Sequence, residues 1–136
     1  MQPFSSGQLL AIGVLLTSLL AVQSSGASDF QCALGDKVVA SLGDGVTLHS
    51  CSWEKTPGNF VRTGPLQLIR NGILILTLQT DRDGLLQGQY RAWDDYGALI
   101  ESGYYLNGLK EGEWRLTDAN GNTRVTVYRA GKPENR

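Results

Sequence analysis

Residues 83–106 read DGLLQGQYRAWDDYGALIESGYYL, and the 24 residues that follow, 107–130, read NGLKEGEWRLTDANGNTRVTVYRA. The two segments share glycines and a tyrosine position for position. A fixed period of this length is typical of a repeat protein, in which each unit is one supersecondary element and stacked neighbours complete the core. The residues that recur are Gly84 with Gly108, Gly88 with Gly112, Gly97 with Gly121, and Tyr104 with Tyr128.

A shorter unit precedes these two. Residues 63–79 read TGPLQLIRNGILILTLQ, and Gly64 keeps the 24-residue spacing to Gly88 and Gly112. Asn71-Gly72 lies one residue earlier than the repeat requires, which we interpret as a one-residue deletion in the turn. Three units over residues 63–131 are the minimum expected for this kind of stacking.

Each unit has the pattern of a β-hairpin. A run of alternating apolar and polar residues, typical of a half-buried strand, leads through a turn into a second run. Asn-Gly between such runs is a strong hairpin signal. We therefore predict an all-β fold, an elongated and twisted meander of consecutive antiparallel hairpins. The turns predicted within hairpins are Asn71-Gly72, Tyr96-Gly97 and Asn120-Gly121, and those predicted between hairpins are Asp83-Gly84 and Asn107-Gly108.

The same alternation assigns the faces of the strands, because successive side chains point to opposite sides of a sheet. One face should form the core, and the other should meet solvent. The predicted core residues are Leu66, Leu68, Tyr90, Ala92, Trp114 and Leu116. The predicted solvent-facing residues are Gln67, Ile69, Gln89, Arg91, Trp93, Glu113, Arg115 and Thr117.

Residues 28–62 precede the repeats and predict one more hairpin. Residues 37–42 and 46–50 flank the turn Gly43-Asp44-Gly45. A short helix with Asp36 as its N-cap and Gly43 as its C-cap is the alternative, because the apolar residues also fit helical spacing. We favour the hairpin.

The only two cysteines, Cys32 and Cys51, lie in this N-terminal part. In an exported chain they should form a disulfide, and closing a loop of about 20 residues would contribute about 3 kcal/mol. A pair of buried free thiols is the alternative. A zinc site is less favoured, since the single histidine, His49, leaves the four-ligand set incomplete.

The first residues have the pattern of a signal peptide. Residues 1–28 carry no charged side chain, and residues 9–22 form an apolar run of 14 residues. That run is shorter than the ~20 residues of a membrane span. Ser25 and Ala27 fit a cleavage site before Ser28. We predict a signal helix at residues 1–27, export to the periplasm or the outside, and no membrane span in the mature chain; an uncleaved anchor is the alternative. Residues 132–136 should form a disordered tail.

The composition argues against several classes of function. Twelve basic and 13 acidic residues give a net charge of -1, and both signs are interspersed. This pattern lacks the basic patch typical of nucleic-acid binding. His49 and Ser50 are neighbours in a predicted strand and should point apart, so a Ser-His pair is not expected. We predict a protein without enzymatic activity, metal or cofactor.

Two glycine-containing motifs are interpreted as turns. Gly84-x-x-x-Gly88 and Gly108-x-x-x-Gly112 precede no helix and lack the Lys-Ser/Thr of a phosphate-binding loop. The acidic segments 81–84 and 118–121 lack the ligand pattern of an EF-hand loop.

Trp93 is the most informative candidate for binding. It lies on the predicted polar face beside Arg91, whereas its counterpart in the next unit is the small Thr117. Tryptophan with arginine on an exposed face is the composition of a binding hot spot. A lone surface tryptophan without a binding role is the alternative. The predicted contact residues for a protein partner or an envelope surface are Gln67, Arg91, Trp93 and Arg115.

The repeat resembles the MORN-repeat family, and more closely its bacterial variant labelled YwqK-type antitoxin. The matching residues are Gly84-Leu-Leu-Gln-Gly88-Gln-Tyr90 with Gly97 and Tyr104, then Gly108-Leu-Lys-Glu-Gly112-Glu-Trp114 with Asn120-Gly121 and Tyr128. Cys32, Cys51 and Gly64-Pro65 are similar to the start of exported members. The resemblance implies a non-catalytic hairpin array for binding or scaffolding, with an immunity protein against a toxin as the alternative. The repeat-structural residues it implies are Gly64, Gly88, Gly112, Gly97, Gly121, Tyr104 and Tyr128.

Overall fold

A computed structural model describes residues 30–134 of the chain. Within this range the fold is all-β, as predicted: nine strands form one open antiparallel sheet in chain order. The predicted signal helix at residues 1–27 lies outside the described range. The strands are β1 (Asp36–Gly43), β2 (Val46–Thr56), β3 (Asn59–Arg70), β4 (Ile73–Thr80), β5 (Gly88–Trp93), β6 (Leu99–Leu106), β7 (Leu109–Thr117), β8 (Thr123–Arg129) and β9 (Lys132–Pro133).

The N-terminal part is a hairpin, as favoured, and the helix alternative is wrong. β1 pairs with β2 along its length. β2 continues to Thr56, and a turn connects it to β3. β3 spans residues 62 and 63, where we expected the boundary between the N-terminal hairpin and the repeats. The N-terminal hairpin and the repeats therefore belong to one sheet. The tail prediction is wrong for Lys132 and Pro133, because they pair with β8 as β9.

Four of the predicted turns are of two kinds. Asn71-Gly72 and Asn107-Gly108 are two-residue turns, in which the asparagines have φ of 49° and 51° and the glycines 82° and 81°. Positive φ at both residues is the type I′ geometry, which matches the twist of the flanking strands. Residues 94–98 and 118–122 instead form five-residue loops. The early position of Asn71-Gly72 in the repeat therefore reflects a different kind of turn.

The glycines that set the 24-residue period lie where pairing shifts. Gly64, Gly88 and Gly112 have φ of 76°, 93° and 67°, a region that favours glycine. The pairing of β2 with β3 shifts near Gly64, and that of β6 with β7 shifts near Gly112. The period thus records β-bulges as well as turns.

A bulge in β6 overturns the structural role expected for Tyr104. Gly112 pairs with Tyr128, but Gly88, 24 residues earlier, pairs with Tyr105. The cause is a register shift beside Trp93, where β6 contains one additional residue. A shift of one residue moves a side chain to the other face of a sheet. Tyr105 therefore occupies the place expected for Tyr104.

The two faces of the sheet differ in composition. We call the face that bears Tyr90, Ala92 and Trp114 the aromatic face, and the face that bears Arg91, Trp93 and Arg115 the arginine face. On the aromatic face, Ala92 and Trp114 are 9% and 4% exposed, as predicted for core residues. Leu116 is 44% exposed, so its assignment to the core is wrong. It lies near the end of the sheet, paired with Glu101 and Arg124, and lacks apolar cover from its paired neighbours.

Trp114 packs directly on the backbone of Gly103. A Cβ atom at residue 103 would lie 2.2 Å from Cδ2 and Cε2 of the Trp114 ring. The absence of a side chain at Gly103 is thus what allows the indole to lie flat on β6.

Gly103→Ala should therefore displace the indole and lower the free energy of unfolding by about 1–3 kcal/mol, the usual cost of overpacking. Urea denaturation followed by tryptophan fluorescence measures this change. Ser102→Ala is the control, since Ser102 is the neighbouring residue on the arginine face. Equal stability of the two variants would contradict this packing.

Candidate protein-binding surface

Three of the four predicted contact residues lie in one row across the arginine face. Gln67 pairs with Thr77, and Thr77 with Arg91. Arg91 pairs with Ser102, and Ser102 with Arg115. Neighbouring strands are about 4.8 Å apart, so Arg91 and Arg115 lie about 10 Å from each other across β6.

Trp93 lies on the same face as Arg91, two residues further along β5. Residues with this spacing in a strand are about 7 Å apart and point to the same side. Trp93 is half-buried, whereas Arg91 is exposed. Arg91 takes part in none of the five ion pairs found among residues 30–134. Its guanidinium is therefore available to a carboxylate of a partner.

Arg115 differs from Arg91 in its electrostatic surroundings. Its Nη2 atom donates to Oε2 of Glu113 at 3.0 Å, and both side chains are more than half exposed. An exposed pair of this kind contributes little to stability. A partner could replace Glu113 at low cost, so Arg115 also remains suitable for binding.

Gln67 lies on the arginine face as predicted, but the prediction that it is exposed to solvent is wrong. It is only 9% exposed, although it belongs to the same row. It lies beside His49 of β2, and the Phe30 ring packs edge-on against His49 at 5.9 Å. The N-terminal segment, held by the disulfide, thus crosses this end of the face. We remove Gln67 from the accessible contact surface.

The disulfide itself is present as predicted, and the free-thiol alternative is wrong. Cys32 and Cys51 are bonded, with their Cα atoms 5.7 Å apart. Cys51 is 1% exposed. This bond fixes the N-terminal segment on β2 and so determines where the accessible arginine face begins.

Sequence reasoning missed two exposed tyrosines, one on this surface and one in the loop that follows Trp93. Tyr104 lies on the arginine face, where it pairs with Gln89 of β5 and Glu111 of β7. Tyr104 is 46% exposed. Tyr96 is 97% exposed at the tip of the loop after Trp93. The spacing from Gly97 to Tyr104 equals that from Gly121 to Tyr128. The sequence therefore gives no sign of the bulge in β6 that places Tyr104 and Tyr128 on opposite faces. The full exposure of Tyr96 was not predictable from its place in a turn.

The opposite, aromatic face carries a packed cluster. Trp114 has the rings of Tyr90, Tyr105 and Tyr128 at centroid distances of 5.3, 5.0 and 6.3 Å. Its Nε1 donates to the carbonyl oxygen of Tyr104 at 3.2 Å, and Nζ of Lys110 lies 3.8 Å from its ring centroid. The Trp114 side chain thus has aromatic, hydrogen-bond and cation–π contacts, and these contacts stabilise the fold.

A polar network closes the edge of this cluster. The Tyr90 hydroxyl donates to Oε2 of Glu101 at 3.3 Å, and Lys110 Nζ lies 3.3 Å from Oε1 of the same carboxylate. Burial of the ring, together with the charge of Glu101, raises the pKa of Tyr90 to about 12. Tyr90 therefore remains a neutral hydrogen-bond donor at physiological pH.

Three aspartates hold three loops in the same way. One carboxylate oxygen of each of Asp81, Asp94 and Asp118 accepts from the backbone amides two and four residues later. At Asp118 the additional hydrogen bond from the Asn122 side chain, followed by the backbone bonds, lowers the pKa of the carboxyl group. The pattern Asp-x-x-Gly recurs in the sequence at all three loops and could have identified these residues.

The chemistry-bearing residues of β2 are not brought together. His49 pairs with residues of the arginine face, Ser50 belongs to the aromatic face, and Cys51 is in the disulfide. Within residues 30–134, no group of three or more His, Cys, Asp or Glu side chains is placed to hold a metal ion. The same range contains no helix long and apolar enough to cross a membrane.

The arginine face thus offers a surface of mixed aromatic and cationic character, formed by the exposed Arg91, Tyr104 and Arg115 and the half-buried Trp93. Compared with known proteins, the chain matches no family model, no curated protein sequence and no solved structure.

Proposed function

We propose that this chain is an exported, non-enzymatic repeat protein that binds a protein partner or an envelope surface through its arginine face. The disulfide supports export, because such bonds persist mainly in oxidising compartments. The resemblance to MORN-like hairpin arrays supports a role in binding or scaffolding.

The observation that carries the proposal is the placement of arginine, tryptophan and tyrosine on one face of β5, β6 and β7. These three residue types dominate the binding energy of protein interfaces. Both arginines lie in one row, and Trp93 and Tyr104 flank it. A carboxylate-bearing partner with an apolar anchor is the complementary surface.

The proposal predicts that Arg91→Ala with Trp93→Ala weakens capture of the partner from an envelope extract. The expected loss is at least about tenfold, since hot-spot residues each account for about 2 kcal/mol or more. The measurement is a pulldown with quantitative mass spectrometry, followed by titration of the captured protein.

The matched control is Leu116→Ala with Arg124→Ala. These residues pair with each other on the aromatic face, and both are exposed. This control should retain the partner. Retention of every captured protein by the Arg91 and Trp93 variant would refute the site, and capture of a toxin would assign the immunity function instead.

A further inference from the structure

The two edges of the sheet are protected to different extents. Among residues 30–134, β1 has β2 as its only strand neighbour, so the main-chain groups on its outer side have no strand partner. The other edge is formed by β9, which is two residues long and contains Pro133, and by the part of β8 that β9 does not cover, which carries Arg124. Proline and charge are the usual protections of an edge strand against pairing.

β1 carries these protections only at its ends. Its sequence is DKVVASLG, in which Asp36 and Lys37 are the only charges and stand together at the start. The pairing irregularity lies at the other end, between Ser41 and Gly43. Residues 38–41 between them are regular, uncharged and free of proline. Val38 and Val39 are 40% and 56% exposed, so apolar surface is open on both faces of the edge.

We propose that β1 is a self-association site, at which β1 of a second copy pairs with it antiparallel and extends the sheet across a two-fold axis. An isologous contact of this kind uses the same strand on both copies and closes as a dimer. A strand added to an exposed edge gains main-chain hydrogen bonds, and side-chain contacts select the partner.

Charge favours a second copy as the occupant. With the axis at Val39, Val39 of one copy lies opposite Val39 of the other, Lys37 lies opposite Ser41, and Asp36 lies opposite Leu42. The charged ends of the two strands are then at opposite ends of the contact, so no like charges face each other. Pairing of β1 with the β8 edge of another copy would instead be heterologous and would propagate without closing.

The groove beside β1 supports the same geometry. Val38 and Leu66 line an open groove of about 640 Å³ on the aromatic face, with the buried Ser50 at its floor. This groove reaches the β1 edge. A second β1 strand would place its own Val38 beside it and extend the apolar wall.

The test uses the chain as recovered from its exporting host. Sedimentation equilibrium from about 5 to 500 μM covers the affinity expected of a contact below the standard interface size. Val39→Lys should abolish the dimer. Val125→Lys is the matched control. Val125 lies on β8 at the far end of the row of directly paired residues that begins with Val39, and it is 46% exposed. Both variants should keep the wild-type near-ultraviolet circular dichroism.

Amide hydrogen exchange of residues 36–43 provides the second measurement. Protection should increase with protein concentration in the wild type and in Val125→Lys, but not in Val39→Lys. A monomer throughout, or loss of the dimer only in Val125→Lys, would overturn the proposal. Protection that is independent of concentration would also overturn it, because β1 would then be covered by other residues of its own chain.

Discussion

Trp114→Ala is expected to lower the free energy of unfolding by about 3–5 kcal/mol, the usual cost of removing a large buried aromatic side chain. Trp114 is 4% exposed and is the only buried aromatic side chain in the described range. Its removal leaves Tyr90, Tyr105 and Tyr128 without their common contact and leaves the backbone of Gly103 uncovered. Urea denaturation followed by far-ultraviolet circular dichroism, which does not depend on the lost indole, measures the effect.

Two adjacent tyrosines provide the control for this prediction. Tyr105→Ala removes a ring that contacts Trp114, whereas Tyr104→Ala removes an exposed ring on the arginine face. Surface substitutions away from packed features usually change stability by no more than about 0.5 kcal/mol, so Tyr104→Ala should be close to neutral. A larger loss of unfolding free energy in Tyr104→Ala than in Tyr105→Ala would contradict the pairing of β6 that places Tyr105 on Trp114.

Breaking the disulfide is expected to have the second largest effect. The bond closes a loop between residues 19 positions apart, and the chain-entropy relation gives about 3 kcal/mol for a loop of this size. Without the bond, only the main chain leading into β1 tethers Phe30 near His49, so the N-terminal segment should leave the arginine face. Urea denaturation with and without a phosphine reductant measures the loss.

The control for this prediction is Cys32→Ala with Cys51→Ala. The double variant should be destabilised in the absence of reductant, and reductant should have no further effect on it. Hydrogen exchange in the strand segment around Gln67 should rise in parallel, because that segment loses its cover. An unchanged midpoint on reduction of the wild type would contradict the stabilising role of the bond.

The placement of most predicted contact residues on one face followed from the alternation of side chains along a β-strand. Arg91 and Trp93 share a face because they are two residues apart in one strand, and Arg115 joins them because the 24-residue repeat places β7 in phase with β5. Gln67 obeys the same alternation and was correctly placed on this face. Its burial was not predictable from this alternation; its paired neighbour His49 contacts Phe30, which belongs to the segment that the disulfide fixes on β2.

The glycine spacing by itself determined that the chain forms consecutive hairpins, since positive φ at turns and bulges is a local requirement that glycine satisfies. The cysteine count and the predicted hairpin indicated which sulfurs meet. Only the tertiary structure decided that Tyr105 and not Tyr104 packs on Trp114, because one unmarked bulge reverses the faces of the residues that follow it in β6. It also decided which edge of the sheet is open, because that depends on which strands come last in the pairing order and not on any residue alone.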